Sequence, residues 1–205
     1  SICANTRPAA SPDWPAPARV RALVTTRAGG VSEGVYASLN FGDHVGDDPV
    51  SVAKNRALLR AALPAEPLWL TQVHGTVVVD AATALSSAEA DASVAPGVGP
   101  VCVVMTADCL PVLFCDEAGS AVGAAHAGWR SLAGGVLENT VSAMGVPPGR
   151  VLVWLGPAIS QPAFEVGEDV RAAFVEHDPV AAEAFLPGGA PGTWQADLYL
   201  LGRQR

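Results

Sequence analysis

Thr106-Ala-Asp-Cys-Leu-Pro-Val-Leu-Phe-Cys115, followed shortly by Gly123-Ala-Ala-His-Ala-Gly-Trp-Arg130, is the stretch on which the reading of this chain turns. Just before it, Val101-Cys-Val-Val-Met105 is a continuous apolar run of strand length, and it breaks at Thr106, Asp108 and Cys109 with Pro111 two positions on. The expectation is a buried strand that stops and presents Cys109 at its end. Ala121-Val-Gly-Ala-Ala125 reads as a second short strand of small residues that delivers His126 just before Gly128. Residues without bulk let backbones approach closely around that imidazole. Ends of core strands are where a rigid scaffold holds reactive groups.

The remaining composition bounds what such a pair of groups can belong to. A chain of 205 residues with 50% hydrophobic content and mean hydropathy +0.30 can bury a substantial core, and a single domain over residues 1–205 is expected. A net charge of −8 argues against a nucleic-acid binder, which carries a basic field. The ligand is then small or uncharged, or is met by a local cationic cluster. Cys3, Cys102, Cys109 and Cys115 form no CxxC pair and no dense framework, which fits a reducing cytoplasm. Cys102 and Cys115 lie inside apolar runs, where a thiol behaves as a small hydrophobe. The start of the chain lacks the charged and apolar regions of a signal peptide, and its uncharged stretches are interrupted by Gly and Pro, so no membrane association is expected.

In chain order, residues 1–18, with Pro8, Pro12, Pro15 and Pro17, are expected to form an extended lead-in segment before the fold begins. Residues 20–26 are a strand candidate running into Arg27-Ala-Gly-Gly-Val-Ser-Glu-Gly34, where a cation beside a Gly-rich loop can cradle an anion on backbone N–H groups, an ordinary Gly-rich hairpin loop being the competing reading. Asp48-Pro49 supplies an N-cap and first-turn proline for a helix to about Ala62. Val52, Leu59 and Leu63 share its expected buried side with Leu58 alongside, and Lys54, Asn55 and Arg56 its solvated face. Residues 68–75 read as a strand ending in His74, with strand character resuming over 77–79, and residues 81–97 as a helix turn or loop crossing to the Val101 strand. Ser131 is expected to cap one helix with Leu132, Val136, Val141 and Met144 on one side, stopped by Gly145 and Pro147-Pro148. A buried strand over 151–155 and a short helix over 167–177 burying Val170, Ala173 and Phe174 follow. The chain then passes through Pro187-Gly-Gly-Ala-Pro-Gly192 into an amphipathic helix, and its end at Arg205 suggests further residues beyond.

His74, Cys109 and His126 are too far apart in sequence for a finger motif, but each is placed where a strand ends. Two imidazoles and a thiolate match a zinc site with three protein ligands and an open fourth position. Such a metal polarises a leaving group and lowers the pKa of bound water. Copper suits the same ligands. Without metal, Cys109 is a nucleophile with His126 or His74 as its base, and a purely structural trio is a further reading. Residue types alone leave these open.

Thr25-Thr-Arg-Ala-Gly-Gly-Val-Ser32, Ser38-Leu-Asn40, His44-Val-Gly-Asp47, Asn55-Arg56, Gln72-Val-His-Gly75, Ala90-Asp-Ala92, the two central motifs and Gly156-Pro-Ala-Ile159 together resemble the YfiH-like family. Its members are also called multicopper polyphenol oxidase (laccase) domain proteins or peptidoglycan editing factors, and the likeness runs from about residue 20 to the end. It implies an α/β (α+β) fold of layered mixed sheets flanked by helices, similar to cysteine hydrolases. It implies His74, Cys109 and His126 as zinc ligands, and phosphorolysis of adenosine, inosine and methylthioadenosine with adenosine deamination as a second activity. Copper-dependent polyphenol oxidation is the older attribution, but a laccase relay needs many more His than the 4 in this chain. Cys-dependent hydrolysis that edits peptidoglycan precursors is the other alternative.

Asp108, next to a ligand, is the candidate proton shuttle, or else a turn cap. Arg27 with Gly29 and Gly30, Asn40, Arg56 and Arg130 are the candidates for holding nucleoside and phosphate, although Arg130 also suits a loop-fixing salt bridge. Trp129 is expected near the site, Trp69 and Phe41 in the core. Two departures from the family pattern stand out. Ala163 and Phe164 replace a common Cys-Tyr pair, and a Ser-Tyr-Arg-Arg-like segment expected past Arg205 is absent. Nothing in the sequence signals an oligomeric state.

Overall fold

The computed structural model describes residues 9–205; Cys3, Pro8 and the first part of the expected lead-in lie outside the described residues. The chain begins with β1 (Ala9–Ala10) antiparallel to β2 (Val24–Thr25), Ala10 opposite Val24. The strand expected over 20–26 is therefore two residues long, and the Pro-rich lead-in supplies its partner instead of preceding the fold. Pro12, Pro15 and Pro17 have no N–H to donate, so the ladder cannot continue.

Helix α1 (Pro49–Arg60) starts as its sequence dictates, with Asp48 accepting from the Val50 and Ser51 amides and Pro49 in the first turn. Its buried side is different. Val52 and Asn55 are buried, Leu59 and Leu63 only partly so, and Leu58 is exposed. Asn55, expected beside Lys54 and Arg56 on a solvated face, has no exposed surface at all. The loops between β2 and α1 fold back over that side of the helix and consume the Asn55 amide with their own backbone.

Next come β3 (Pro67–Leu68), β4 (Val78–Asp80), β5 (Ala92–Pro96) and β6 (Val101–Cys102); β3 is parallel to β6, and β4 to β5. The runs 68–75 and 101–105, expected as full strands, pair only at Pro67–Val101 and Leu68–Cys102. Beyond that point the Gln72 side chain takes over the ladder, donating to the Met105 carbonyl (2.8 Å) and accepting from the Met105 amide (2.7 Å). Residues 81–97, expected as a loop or helix turn, contain the interior strand β5. Its Ala92, Ser93, Val94 and Ala95 are all buried, and small residues buried on both faces leave no alternating pattern to read.

The centre of the molecule is a hairpin of β7 (Leu110–Asp116) and β8 (Ala121–Ala127). Asp116 fixes its turn by accepting from the Ala118, Ser120 and Ala121 amides and the Ser120 hydroxyl. That turn sets the register, with Cys115 opposite Val122 and Pro111 opposite His126. After β8 come α2 (Trp129–Gly134), α3 (Val136–Ala143) and β9 (Val151–Leu155), and the sheet order is β4-β5-β8-β7-β9. The single helix expected after Arg130 is two helices, because Gly135 takes a left-handed conformation (φ 98°) that ends α2 and begins α3; Gly128, not Ser131, occupies the N-cap. Strand β9 lies at the sheet edge and is only partly buried.

A second, three-stranded antiparallel sheet has β12 (Thr193–Ala196) between β10 (Glu165–Gly167) and β11 (Phe185–Pro187), with α4 (Glu168–Val175) packed on it, while the final α5 (Leu198–Gln204) packs against α2 and the Pro179–Ala184 segment. In α4, Val170 and Phe174 are buried as expected, but Ala173 faces outward. Phe164 packs against the main core. One apolar cluster joins both sheets, running from Leu110, Val112 and Phe114 of β7 through Val136 and Leu137 of α3 to Phe174, Leu198 and Leu201. Each such fully buried side chain stabilises by about 1.5–3 kcal/mol relative to exposure. Gly123 lets α3 dock on β8, since a Cβ there would lie 3.3 Å from both the Thr140 methyl and the Ser93 carbonyl. Period-two alternation then places His126, with Ala124, on the sheet face opposite Ala125 and Ala127.

Candidate functional site

The hairpin brings two of the three reactive residues together. Register sets Pro111 against His126, and Cys109 precedes Pro111 by two residues, just off the end of the ladder. Cys109 therefore leads into a strand rather than ending one, and His126 lies within β8 and is nearly fully buried. Asp108, with φ 81°, turns the chain into Cys109, and its carbonyl accepts the Ile159 amide from Gly156-Pro-Ala-Ile159.

His74 arrives from a turn rather than a strand end, and the turn is built on Asp91. The carboxylate of this fully buried residue accepts the amides of Val73 (3.2 Å), His74 (2.9 Å) and Gly75 (2.6 Å), and His74 itself is left-handed (φ 59°). Successive N–H groups wrapped around an anion make a nest. The same carboxylate contacts His126 Nδ1 at 2.8 Å, and the Asp91 carbonyl accepts the His126 amide at 2.7 Å. Burial alone would raise the Asp91 carboxyl, but the His126 bond and the Gly75 and Val73 amides hold it below the usual carboxylate range.

The result is a compact cluster. The His74 and Cys109 ligand atoms are 3.8 Å apart, the two imidazole rings meet edge-on at 4.7 Å, and one ligand atom from each of the three residues lies within 4.8 Å of the others. Tetrahedral zinc with N and S ligands spaces such atoms by about 3.5 Å, so the trio fits a metal after a slight contraction. A second feature supports the fit. A Cβ on Gly128 would lie 2.7 Å from His74 Cδ2 and 3.0 Å from Cys109 Sγ, so only glycine keeps the space beside the ligands clear. Burial opposes a charged His126, yet Asp91 and Cys109 outweigh it and push the imidazole up to about 9. His74 shifts the other way, lowered by partial burial, then by His126 and Arg130. One imidazole therefore offers a lone pair at neutral pH while the other is held by its carboxylate partner. His–Cys–His with a buried carboxylate behind one imidazole is a group able to hold a metal ion, and His–Asp pairing of this kind orients metal-binding imidazoles.

The other predicted residues divide. Arg130 is exposed, its guanidinium 4.3 Å from the Trp129 ring centre, and its charge reaches His74. Trp129, expected near the site, is partly buried and packs against the main core. Arg27, Gly29, Gly30, Asn40 and Arg56 instead belong to a second cluster organised by Asn55. The Asn55 amide donates to Ser32 Oγ and the Ser38 and Asn40 carbonyls and accepts the Val31 amide. Arg27 donates to the Ala37 carbonyl, while Asn40 bridges Gly42 and Asp47. Arg56 bonds the Phe41 carbonyl and Asp43 while lying over Trp69, which is buried as expected, whereas Phe41, tilted against it, is only partly buried. Gly29 is left-handed (φ 92°), and Gly30 packs directly against Leu39 and Asn55. Sequence reasoning missed Asp91 and Asn55; a lone Asp inside Ala90-Asp-Ala-Ser-Val94 was the available signal, since a charge buried among small apolar residues must have partners.

Known proteins share this arrangement of chain. A family model described as multi-copper polyphenol oxidoreductase laccase matches residues 21–205. The chain is 57% identical over 196 residues to a purine nucleoside phosphorylase of Pseudomonas aeruginosa, covering 95% of this chain and 80% of that protein. It is 53% identical over 197 residues to a protein of Escherichia coli named purine nucleoside phosphorylase YfiH, with the same 95% and 80% coverage. A crystal structure of a Neisseria meningitidis protein matches with TM-score 0.94 at 56% identity over 97% of this chain and 82% of that one. That of a Bacillus licheniformis hypothetical protein, YfiH, matches with TM-score 0.80 at 27% identity, over 90% and 75%. By sequence and by fold, the chain belongs to the YfiH-like family, whose model bears the multi-copper polyphenol oxidoreductase laccase description.

Proposed function

We propose that this protein is a zinc-dependent purine nucleoside phosphorylase acting on adenosine, inosine and methylthioadenosine, with adenosine deamination as a second activity. The observation that carries the reading is the His74–Cys109–His126 cluster, its ligand atoms within 4.8 Å of one another. The relatives named purine nucleoside phosphorylase support it. His74, Cys109 and His126 hold the metal, which supplies Lewis acidity when bound. Phosphorolysis forms a bond from a phosphate oxygen to the ribose C1′ and breaks the glycosidic bond, the electron pair leaving with the base, which takes a proton. Arg130, held over Trp129 beside His74, is the cation for the incoming phosphate. Asp108, exposed on the turn before Cys109, is the group for proton transfer in deamination. Arg27, Asn40 and Arg56 direct their donors into the segment between β2 and α1, and in this reading they hold the shape of that segment. The enzyme works as one domain in the cytoplasm, where Cys109 stays reduced.

One geometric fact favours a second reading. Cys109, His126 and Asp91 stand in the order nucleophile, base and orienting carboxylate, as a thiol hydrolase requires, with His126 Nδ1 at 2.8 Å from Asp91. A copper oxidase rests on the family description alone. The deciding assay incubates metal-quantified protein with adenosine, with and without phosphate, and separates the products. Adenine formed only with phosphate, and abolished by chelator and by Cys109→Ala, is the expected result. Chelator-resistant activity that alkylation abolishes would replace this reading with the hydrolase.

A further inference from the structure

The Ala90-Asp-Ala92 motif takes no part in the phosphorolysis steps, yet Asp91 contacts the imidazole of His126 and the main-chain amide of His74. Its two oxygens face only donors. Oδ1 receives His74 N (2.9 Å) and lies 2.8 Å from His126 Nδ1, and Oδ2 receives Val73 N (3.2 Å) and Gly75 N (2.6 Å). The residue is fully buried, so water cannot replace any of these bonds.

We propose that Asp91 is the positioning residue of the centre: one carboxylate both builds the left-handed turn that aims His74 and holds His126 by Nδ1 so that its Nε2 turns toward Cys109. The two imidazoles are thereby set relative to each other through a single side chain. They come from distant segments, and no backbone ladder joins the 73–75 turn to β8. The carboxylate reaches the turn through three amides and β8 through the imidazole, while the Asp91 carbonyl takes the His126 amide. An amide cannot substitute. In Asp91→Asn, one of the two oxygens becomes an NH2 donor, which faces either the Val73 and Gly75 amides or the His74 amide and His126 Nδ1, and donor meets donor in both orientations.

This inference rests on the metal-centre reading of the cluster, and the test separates the two. Zinc affinity is measured by chelator competition on wild-type protein and Asp91→Asn, with kcat and KM at saturating zinc and amide hydrogen exchange on both metal-free proteins. The expected result is zinc affinity lowered by roughly 10–100-fold, a fall in kcat with KM little changed, and loss of protection at the His74 and Gly75 amides while β8 stays protected. Wild-type zinc affinity with unaltered protection in Asp91→Asn would overturn the proposal. If Asp91→Asn does not fold, the wild-type exchange decides: His74 and Gly75 amides protected like those of β8 uphold the carboxylate-built turn, and exchange at the rate of an exposed loop overturns it. A wild type that binds no zinc removes the metal reading, and protection at the same amides still judges whether Asp91 builds the turn.

Discussion

Gly128→Ala tests the site more sharply than removal of a ligand, because it changes only space. The backbone at Gly128 (φ −63°, ψ 161°) suits alanine, so the substitution adds no backbone strain beyond about 1 kcal/mol for a poorer N-cap on α2. The new methyl would stand 2.7 Å from His74 Cδ2 and 3.0 Å from Cys109 Sγ, where carbon contacts need about 3.5–4.0 Å. The imidazole must retreat by about 1 Å, several times the roughly 0.2 Å tolerance of a metal–ligand bond. A misplacement of that size costs on the order of 100-fold in rate, or about 2.7 kcal/mol of barrier. The expected outcome is sub-stoichiometric zinc and phosphorolysis down about 100-fold, while Gly149→Ala, where a Cβ meets nothing within 4 Å, is neutral. The assay pairs metal analysis of dialysed protein with kcat/KM for adenosine. One equivalent of tightly bound zinc and wild-type kcat/KM in Gly128→Ala would refute the reasoning.

Other predictions concern the scaffold. Asn55→Ala leaves the Val31 amide and several buried acceptors unsatisfied, and at about 1–3 kcal/mol for such a lost partner it should destabilise by about 3–5 kcal/mol in urea titration; a loss under about 1 kcal/mol would show that water takes its place. Asp116 is pushed up by burial but held below its usual 3.8 by the Ala121 and Ser120 donors. Its contribution is present above about pH 4 and is lost as pH falls through the lower folded value, so the stability gap between wild type and Asp116→Asn should close on acidification; a gap constant with pH would contradict this. Cys102 and Cys115 are pushed by burial up to about 11 and stay protonated at neutral pH. In a Cys3→Ser background, iodoacetamide at pH 7.5 should therefore label Cys109 first, as read by peptide mass mapping, and early labelling of Cys115 would be the contrary result.

Much of the fold was legible because it follows from local rules. Asp48-Pro49 announced α1, the residues 151–155 strand appeared where its apolar run lies, and α5 began after Asp197. Local rules failed where a distant group supplied the hydrogen bonds. Gln72 replaced a strand ladder, buried β5 showed no alternation, and the helix after Arg130 split because a second glycine, Gly135, went left-handed. Asn55 looked solvated by helical position, since nothing in α1 records that the 31–40 loops return to cover it.

By itself the sequence determined the chemistry available: the residue types His74, Cys109 and His126, the glycine beside them, and the family to which their motifs point. Only the tertiary structure decided the grouping. It placed Arg130 with the trio, assigned Arg27, Asn40 and Arg56 to the Asn55 cluster, and put Asp91 behind the His126 imidazole and under the His74 turn. The physical reason is that periodicity, capping and turn preference act over a few neighbouring residues. A buried carboxylate chooses its donors by proximity in space, and the register of one hairpin fixes which residues are near.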